Sequence, residues 1–450
     1  MLPTNLKSLL TAIVFLLLPL LAIAQDTTSY VYASVQGSNI ISVFSINRTN
    51  GSLTKVYDQA VSGGPMSIAV SPNKKFMYVS QRTAMTFSSY SIDKTTGRLT
   101  LLGTIPALDN PVNISTDKTG QFLLSAYYAA NKAAVYKIDT VTGLLIAGAL
   151  SSFSTAGINP HCIKTDPSNK FVFLTNMTGN RIQQFTFNPT TGALTPNSPA
   201  LITPVDSIGP RHFVFSGNKD LVYFTNEIGN KVTVFSLNTT TGLLTLLQEV
   251  SSLPVGYVQT MGVDKVADIH MTPDNKFLYV SNRGSNTIAA FNVDATTGLL
   301  SSIGYYPTQT SPRGFDLDLS GSYLYAAGET SGKMSYYKIN KTTGALDSIA
   351  AYTLGTNPTW IMSLSFITPP AITCINLVTI PIVGLASAGI YTMVLFDAAG
   401  TTQLKVLANG SFKAGDSNFL FSKVGFSAGS YTYKLMNGAT VVKSGTVIIT

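Results

Sequence analysis

Short blocks of apolar and aromatic residues recur along the chain, each bounded by Pro, Asp, Asn or Gly. FMYVS at 76–80, FLLSA at 122–126, FVFLT at 171–175 and FLYVS at 277–281 show the form most plainly. β-Branched and aromatic residues between turn formers predict strands, and the 3.6-residue apolar spacing that a helical array needs is absent. A second signal runs between these blocks. A Thr-Gly step, Asn-Gly in its first copy, returns at Gly51, Gly97, Gly143, Gly192, Gly242, Gly298 and Gly344, at spacings of 46, 46, 49, 50, 56 and 46. A period of about 40–50 residues marks a propeller blade or a helical repeat, and the strand pattern selects the blade.

One complete unit covers residues 65–105. Residues 67–70, 76–80, 87–92 and 99–104 are its four strands, with Ser71-Pro72-Asn73 and the Thr-Gly step as turns. Seven such units predict a seven-bladed β-propeller over residues 25–368. The first unit begins at its second strand, Tyr30-Val31-Tyr32, and the far end of the chain offers an orphan first strand at 360–366. Pairing the two would latch the ring and remove exposed sheet edges. After Pro369-Pro370 the period stops. Residues 369–450 carry no Glu or Arg and alternate at 391–396, 403–407, 419–421, 431–436 and 441–449, the pattern of a small Ig-like β-sandwich. The fold class is all-β throughout.

The N-terminus departs from this pattern. Lys7, an apolar run at 9–21 and Ala22-Ile23-Ala24 predict a signal peptide over residues 1–24, cut before Gln25. No second apolar span of about 18 residues follows, so no membrane span is expected after removal. The expected location is secreted, periplasmic or cell-surface. Of the 450 residues 45% are hydrophobic and only 11% charged, which excludes a disordered tail or a coiled coil. The net charge of +8 reflects scarce acids. Lys and Arg are scattered singly, so no nucleic-acid partner is expected. Cys162 and Cys374 cannot build a disulfide framework and read as buried thiols, a single bond between them staying open.

In a blade, strand one leaves one face and strand two returns to it. The approach to strand one and the end of strand two therefore open on the same mouth of the central channel. Ten residues before the start of strand two stand Met66, Val112, His161, Arg211, Ala267 and Arg313, with Thr359 in the latch; all but Ala267 follow Pro. Six residues after that start stand Gln36, Arg82, Tyr128, Met177, Glu227, Arg283 and Glu329. Arg and Glu are few and His numbers 3, yet His161, Arg211, Glu227, Arg283, Arg313, Glu329, Arg82 and Tyr128 all map to this mouth, with His212 beside Arg211. Asn176, Asn226 and Asn282, one residue earlier, read as turn formers closing strand two.

Two or three Arg can hold an anionic substrate and stabilise a developing oxyanion, and a His or Glu beside them can activate water. No GxSxG, HExxH or Cys/His spacing is present. Hydrolysis by activated water is expected, with no cofactor and no metal, although a calcium ring around Glu227 stays open. The same charges could also pair only with one another around a solvated mouth.

The runs NPHCIKTDPSNKFVF (159–173), GPRHFVFSGNKDLVYFTNE (209–227) and ADIHMTPDNKFLYVSNRG (267–284) resemble the propeller lactonase family. That family includes the bacterial 6-phosphogluconolactonases of propeller type and the fungal carboxymuconate-lactonizing enzymes, and the resemblance covers about residues 28–366. It implies catalytic roles for His161, Arg211, Glu227 and Arg283. Arg82, Tyr128, His212, Arg313 and Glu329 are then expected to bind substrate. Two places depart from the family: the approach to His161 is the short STAGINPH, and Asn176-Met177-Thr178 stands where members carry Asp-Leu-Gly. The tail, LFDAAGTTQLKVL (395–407) and FSAGSYTYKLMNGATVVKSGTVIIT (426–450), resembles the C-terminal sorting domains of type IX secretion cargo, which implies export machinery as a partner.

Two functions from different classes follow. One is an exported lactonase-like hydrolase opening a sugar or carboxylic-acid lactone, with a small lactone or anionic sugar derivative as its partner. The other is a non-catalytic surface propeller that binds a glycan or protein, or serves as a scaffold.

Overall fold

The computed structural model describes residues 26–368 and 377–449, apart from 156–157, 205, 207, 261, 413–414 and 423–425. The expected leader at 1–24, Pro369-Pro370 and Cys374 lie outside the described residues. Two compact units emerge, Thr27–Ile367 and the chain from Thr368 onward.

The first unit holds seven four-stranded sheets among the described residues. Blade two pairs Pro65–Val70, Phe76–Gln81, Thr86–Ile92 and Leu99–Pro106 in order, each predicted strand being present and extended by one to two residues. Blades three to seven begin with Asn113–Thr116, Pro160–Thr165, Pro210–Phe215, Val266–Met271 and Pro312–Leu317. Blade one is composite: Pro358–Thr368 pairs with Asp26–Val35, followed by Ile40–Ile46 and Leu53–Ala60. The latch is tied by Gln36 N–H to Asn357 O and Gly37 N–H to Thr356 O, both 3.0 Å, and by Ser29 and Ser365 hydroxyls 2.8 Å apart.

The burial pattern explains the sequence blocks. Strand two is buried along its whole length in blades three to seven, because both faces of each sheet pack on neighbouring blades. Strand four, at the rim, is largely exposed, as at Leu244–Ser251. The Thr-Gly period has a packing cause. Gly51 has φ +73, and a Cβ there would overlap the Tyr323 ring of blade seven; Gly242 has φ +73 and meets Phe171 of blade four in the same way. The glycine carbonyl then takes a hydroxyl from the adjacent blade. Tyr325 Oη donates to Gly51 O (2.9 Å), Tyr223 Oη to Gly298 O (2.8 Å) and Tyr279 Oη to Gly344 O (2.9 Å). The bond from Tyr325 to Gly51 joins blade seven to blade one and closes the ring.

The second unit is all strand. Gln403–Phe412, Gly389–Phe396, Gly429–Asn437 and Thr440–Ile449 form one sheet, and Leu377–Leu385 pairs with Gly415–Ser422 in another. Ile380, Ile382, Met393, Leu395, Tyr433, Leu435 and Ile449 fill its core. Leu377–Leu385 was not expected. It contains Pro381, which cannot donate to a ladder and is tolerated where a strand has an open side; among the described residues this strand pairs only with Gly415–Ser422.

Candidate active site

A repeated backbone device aims the mouth residues. In blades two, four, five, six and seven the register of strands one and two slips between Pro65 and Ile68, Pro160 and Cys162, Pro210 and Phe213, Val266 and Ile269, and Pro312 and Gly314. Such a bulge takes a residue out of the ladder and re-aims its side chain. Hydroxyls from strand two accept the freed N–H groups: Ser80 Oγ from Ser67 (2.9 Å), Thr175 Oγ1 from Cys162 (3.0 Å), Thr225 Oγ1 from His212 (3.1 Å) and Ser281 Oγ from Asp268 (3.0 Å). The bulge carries His161, Arg211 and Arg313.

Asparagines from the preceding blade hold the approach to each bulge. Asn131, Asn180 and Asn286 have φ of 54, 50 and 54 in the turn after strand two. Their Oδ1 atoms accept from Asn159 N–H (3.1 Å), Gly209 N–H (3.1 Å) and Ser311 N–H (2.7 Å). Sequence reasoning missed them, although Asn39, Asn131, Asn180, Asn230 and Asn286 each lie nine residues after the start of strand two. The turn role given to Asn176, Asn226 and Asn282 is corrected. They are buried strand ends; Asn226 Nδ2, for instance, donates to Phe224 O (3.3 Å), Lys231 O (3.3 Å) and Thr233 Oγ1 (3.1 Å), tying strand two to strand three.

The mouth encloses a cavity of about 170 Å³ lined by Arg82, Val112, Tyr128, His161, Met177, Arg211, Glu227, Arg283 and Arg313. Seven of the nine expected site residues therefore meet. Glu227 is their hub: Oε2 lies 2.7 Å from Arg211 Nε and Oε1 lies 2.8 Å from Arg283 Nη2. Burial opposes the Glu227 charge, but the two guanidiniums outweigh it and hold the carboxyl below its ordinary range. Arg211 is 1% exposed and also donates from Nη1 to Ala267 O (2.6 Å). Burial lowers its pKa to about 10, so it stays cationic at neutral pH. Arg82 Nε donates to Asn110 Oδ1 at 2.6 Å. Nε of Arg283 and of Arg313 is buried without a hydrogen-bond partner among the described residues.

His161 is the neutral member. Burial first, then Arg211, His212, Arg313 and Arg283, hold its pKa well below the ordinary value. Its Nδ1 is buried without a partner among the described residues, and Tyr128 packs edge-on against the ring at 6.0 Å. Two expected site residues stand off the lining. Glu329 pairs with Arg313 Nη1 at 3.2 Å. His212, one residue past Arg211, projects below the cavity: its ring lies 5.1 Å from His161 of blade four and 5.6 Å from Trp360 of blade one, so it sits across the channel. Cys162 is buried and free. No group of three or more His, Cys, Asp or Glu side chains among the described residues could hold a metal ion.

This arrangement can do three things. Its guanidiniums can bind and polarise an anion or a carbonyl, its neutral imidazole can accept a proton, and its carboxylate keeps two of the guanidiniums in place.

Comparison with known proteins bears on the family and the fold. A family model described as lactonase, 7-bladed beta-propeller, matches residues 32–363. A 6-phosphogluconolactonase of Klebsiella pneumoniae (strain 342) is 34% identical over 163 residues, 36% of this chain and 48% of that protein. Its counterpart from Serratia proteamaculans (strain 568) is 32% identical over 164 residues, again 36% and 48%. The chain thus spans about half the length of the curated relatives it matches. Among solved structures, a candidate 6-phosphogluconolactonase from Bacteroides uniformis ATCC 8492 superposes with a TM-score of 0.67 at 28% identity, covering 76% of this chain and 100% of that one. A periplasmic gluconolactonase of Pseudomonas aeruginosa shares the fold, with a TM-score of 0.69 at 21% identity over 75% and 99% of the two chains.

Proposed function

The chain belongs to the lactonase family of seven-bladed β-propellers, and from that premise we propose that its channel mouth hydrolyses an anionic sugar lactone with water activated by His161. One observation carries the proposal: a single cavity is lined by a neutral imidazole and four guanidiniums, and the lining carboxylate, Glu227, is engaged by two of them. Counting Glu329 on Arg313, four positive charges face two negative ones, an excess of two that suits a phosphorylated or carboxylated substrate.

In the proposed reaction Arg313 and Arg82 hold the anionic group, and Arg283 and Arg211 face the carbonyl oxygen. His161 takes a proton from water as the oxygen of that water attacks the carbonyl carbon. The tetrahedral oxyanion is stabilised by the guanidiniums. It collapses with cleavage of the ring C–O bond, and the imidazolium returns its proton to the leaving alkoxide, giving the open hydroxy acid. Glu227 serves as the brace of the Arg pair, since both its oxygens are occupied. The free site keeps His161 weakly basic; a bound anion offsets the guanidiniums and raises its proton affinity when it is needed.

Export belongs to the same proposal. The leader-like residues 1–24 and the resemblance of 395–407 and 426–450 to sorting domains support a secreted, periplasmic or cell-surface enzyme that meets export machinery through its second unit. No helix among the described residues is long and apolar enough to cross a membrane.

The test is hydrolysis of 6-phosphogluconolactone, gluconolactone and simple δ- and γ-lactones by the full chain, corrected for spontaneous opening, beside His161→Asn. Turnover that disappears in the variant supports the proposal. Ligand binding without turnover on any lactone would instead favour a binding propeller.

A further inference from the structure

Below the cavity lies an array of ionisable groups, buried at His212 and Asp268 and half-buried at His270 and Asp316, that the proposed reaction does not use. His212 Nδ1 is 2.7 Å from Asp268 Oδ1, Asp268 Oδ2 is 3.3 Å from His270 Nε2, and His270 Nδ1 is 3.2 Å from Asp316 Oδ1. These side chains come from the first strands of blades five, six and seven. The array runs from the His161 ring at one end to a separate cavity of about 240 Å³ at the other, where His270 and Asp316 meet Lys164 and Trp360. Burying such groups costs several kcal/mol each unless every charge is paired and bonded. Here the pairing centres on Asp268. Its Oδ1 also accepts from Ile269 N–H (3.0 Å), its Oδ2 from Phe315 N–H (3.3 Å), and its own N–H donates to Ser281 Oγ.

We propose that Asp268 is a positioning residue for His161: it clamps His212 through Nδ1, and the clamped ring forms the packing surface that fixes the His161 imidazole in the mouth. The inference rests on the hydrolytic reading of that mouth. Geometry defines the role. His212 touches the His161 ring on one side and Trp360 on the other, so its orientation cannot change without moving one of them. Both oxygens of Asp268 have two donors each. An amide at this position offers one accepting oxygen, so Asp268→Asn must leave either His212 or His270 without its acceptor. Charge supports the same picture. Burial, then Arg211, drives His212 down to about 3, so it is neutral and its Nδ1–H is the donor to Asp268. Burial works against the Asp268 charge, but His270 and His212 hold its carboxyl well below the ordinary range. Burial likewise opposes the His270 imidazolium, and Asp268 and Asp316 outweigh it.

The chain has 3 histidines, and all three are in this array or at its end, so side-chain nitrogen NMR of the full chain reads the proposal directly. In the wild type His212 should show one tautomer, protonated at Nδ1, with the His161 ring signals sharp and unaffected by pH near neutrality. In Asp268→Asn the His212 tautomer should be lost and the His161 ring signals displaced. kcat should fall on the order of 10- to 100-fold with KM little changed, the cost of a misplaced catalytic group, and Asp268→Glu should recover part of kcat. Unmoved His161 signals, or an unchanged kcat, in a folded Asp268→Asn would overturn the proposal. Should that variant fail to fold, His212→Asn removes the same link and must show the same loss of kcat; full activity there overturns the proposal equally. Absence of turnover in the wild type would remove the hydrolytic reading alone, since displacement of the His161 signals would still show that Asp268 fixes the ring.

Discussion

Arg211 and Glu227 form a buried ion pair, Nε to Oε2 at 2.7 Å, with side chains 1% and 9% exposed. Their neighbour Arg283 takes the other carboxylate oxygen at 2.8 Å. A carboxylate held between two guanidiniums orients both and leaves neither free to swing. In the proposed reaction the roles at the mouth separate accordingly: Glu227 braces, the Arg pair polarises and His161 moves the proton.

Glu227→Gln should therefore fail in two ways. It leaves two buried guanidiniums facing each other, and removing one partner of a buried pair costs about 3–5 kcal/mol. Urea unfolding should show that loss, and lactone turnover should fall on the order of 10²-fold as the oxyanion donors lose their aim. A stable variant with wild-type turnover would show that Glu227 is not the brace.

The pH profile follows from His161. Its pKa in the free protein lies well below the ordinary value, so the base stays deprotonated as pH falls through about 6.5. We expect kcat/KM to hold steady through that region and decline only in stronger acid. A bound anion raises the pKa, so the acid limb of kcat should sit at higher pH than that of kcat/KM. Coincident limbs near pH 6.5 would contradict a depressed His161.

His270 gives a stability signature of opposite sign. Desolvation opposes its charge, but Asp268 and Asp316 outweigh it and push its pKa up to about 10 from the ordinary histidine value. A raised histidine contributes stability that is fully present below about 6.5 and is lost as pH rises toward about 10. The stability difference between wild type and His270→Asn, measured by urea unfolding, should shrink across that window. A difference that does not vary with pH would remove the charged-His270 account.

Arg313 and Arg82 should govern the anionic group and not the ring opening. Arg313→Ala should raise KM for a phosphorylated lactone about tenfold or more, as for a charged hydrogen bond, while leaving KM for neutral gluconolactone nearly unchanged. Equal effects on both substrates would point to a general packing defect.

Ring closure is testable at Tyr325, whose hydroxyl bonds Gly51 across blades seven and one. Tyr325→Phe should cost about 1 kcal/mol and lower the melting temperature of the propeller without altering KM.

Much of this was legible in the sequence, for a physical reason. Blade strands and the offsets that bring His161, Arg211, Glu227 and Arg283 together depend on local spacing, and spacing is what a repeat displays. What was not legible depends on register slips, contacts between blades and ring closure. His212 reads as a mouth residue because it adjoins Arg211; only the closed ring brings Trp360, 148 positions later, to within 5.6 Å of it. The hydroxyls that fill the bulges, Thr175 and Thr225, look like ordinary strand residues until the register slip is seen. Asn131, Asn180 and Asn286 were hidden because their partners lie on the next blade.

The most direct test of the central claim is the rate of 6-phosphogluconolactone opening by the full chain and by the Arg211→Ala/Glu227→Gln double variant, each corrected for spontaneous hydrolysis. The account predicts catalysis by the wild type and a loss on the order of 10²-fold or more in kcat in the variant. Equal rates in the two proteins would contradict it, and the bridged Arg and Glu residues at the mouth would then be a structural charge network.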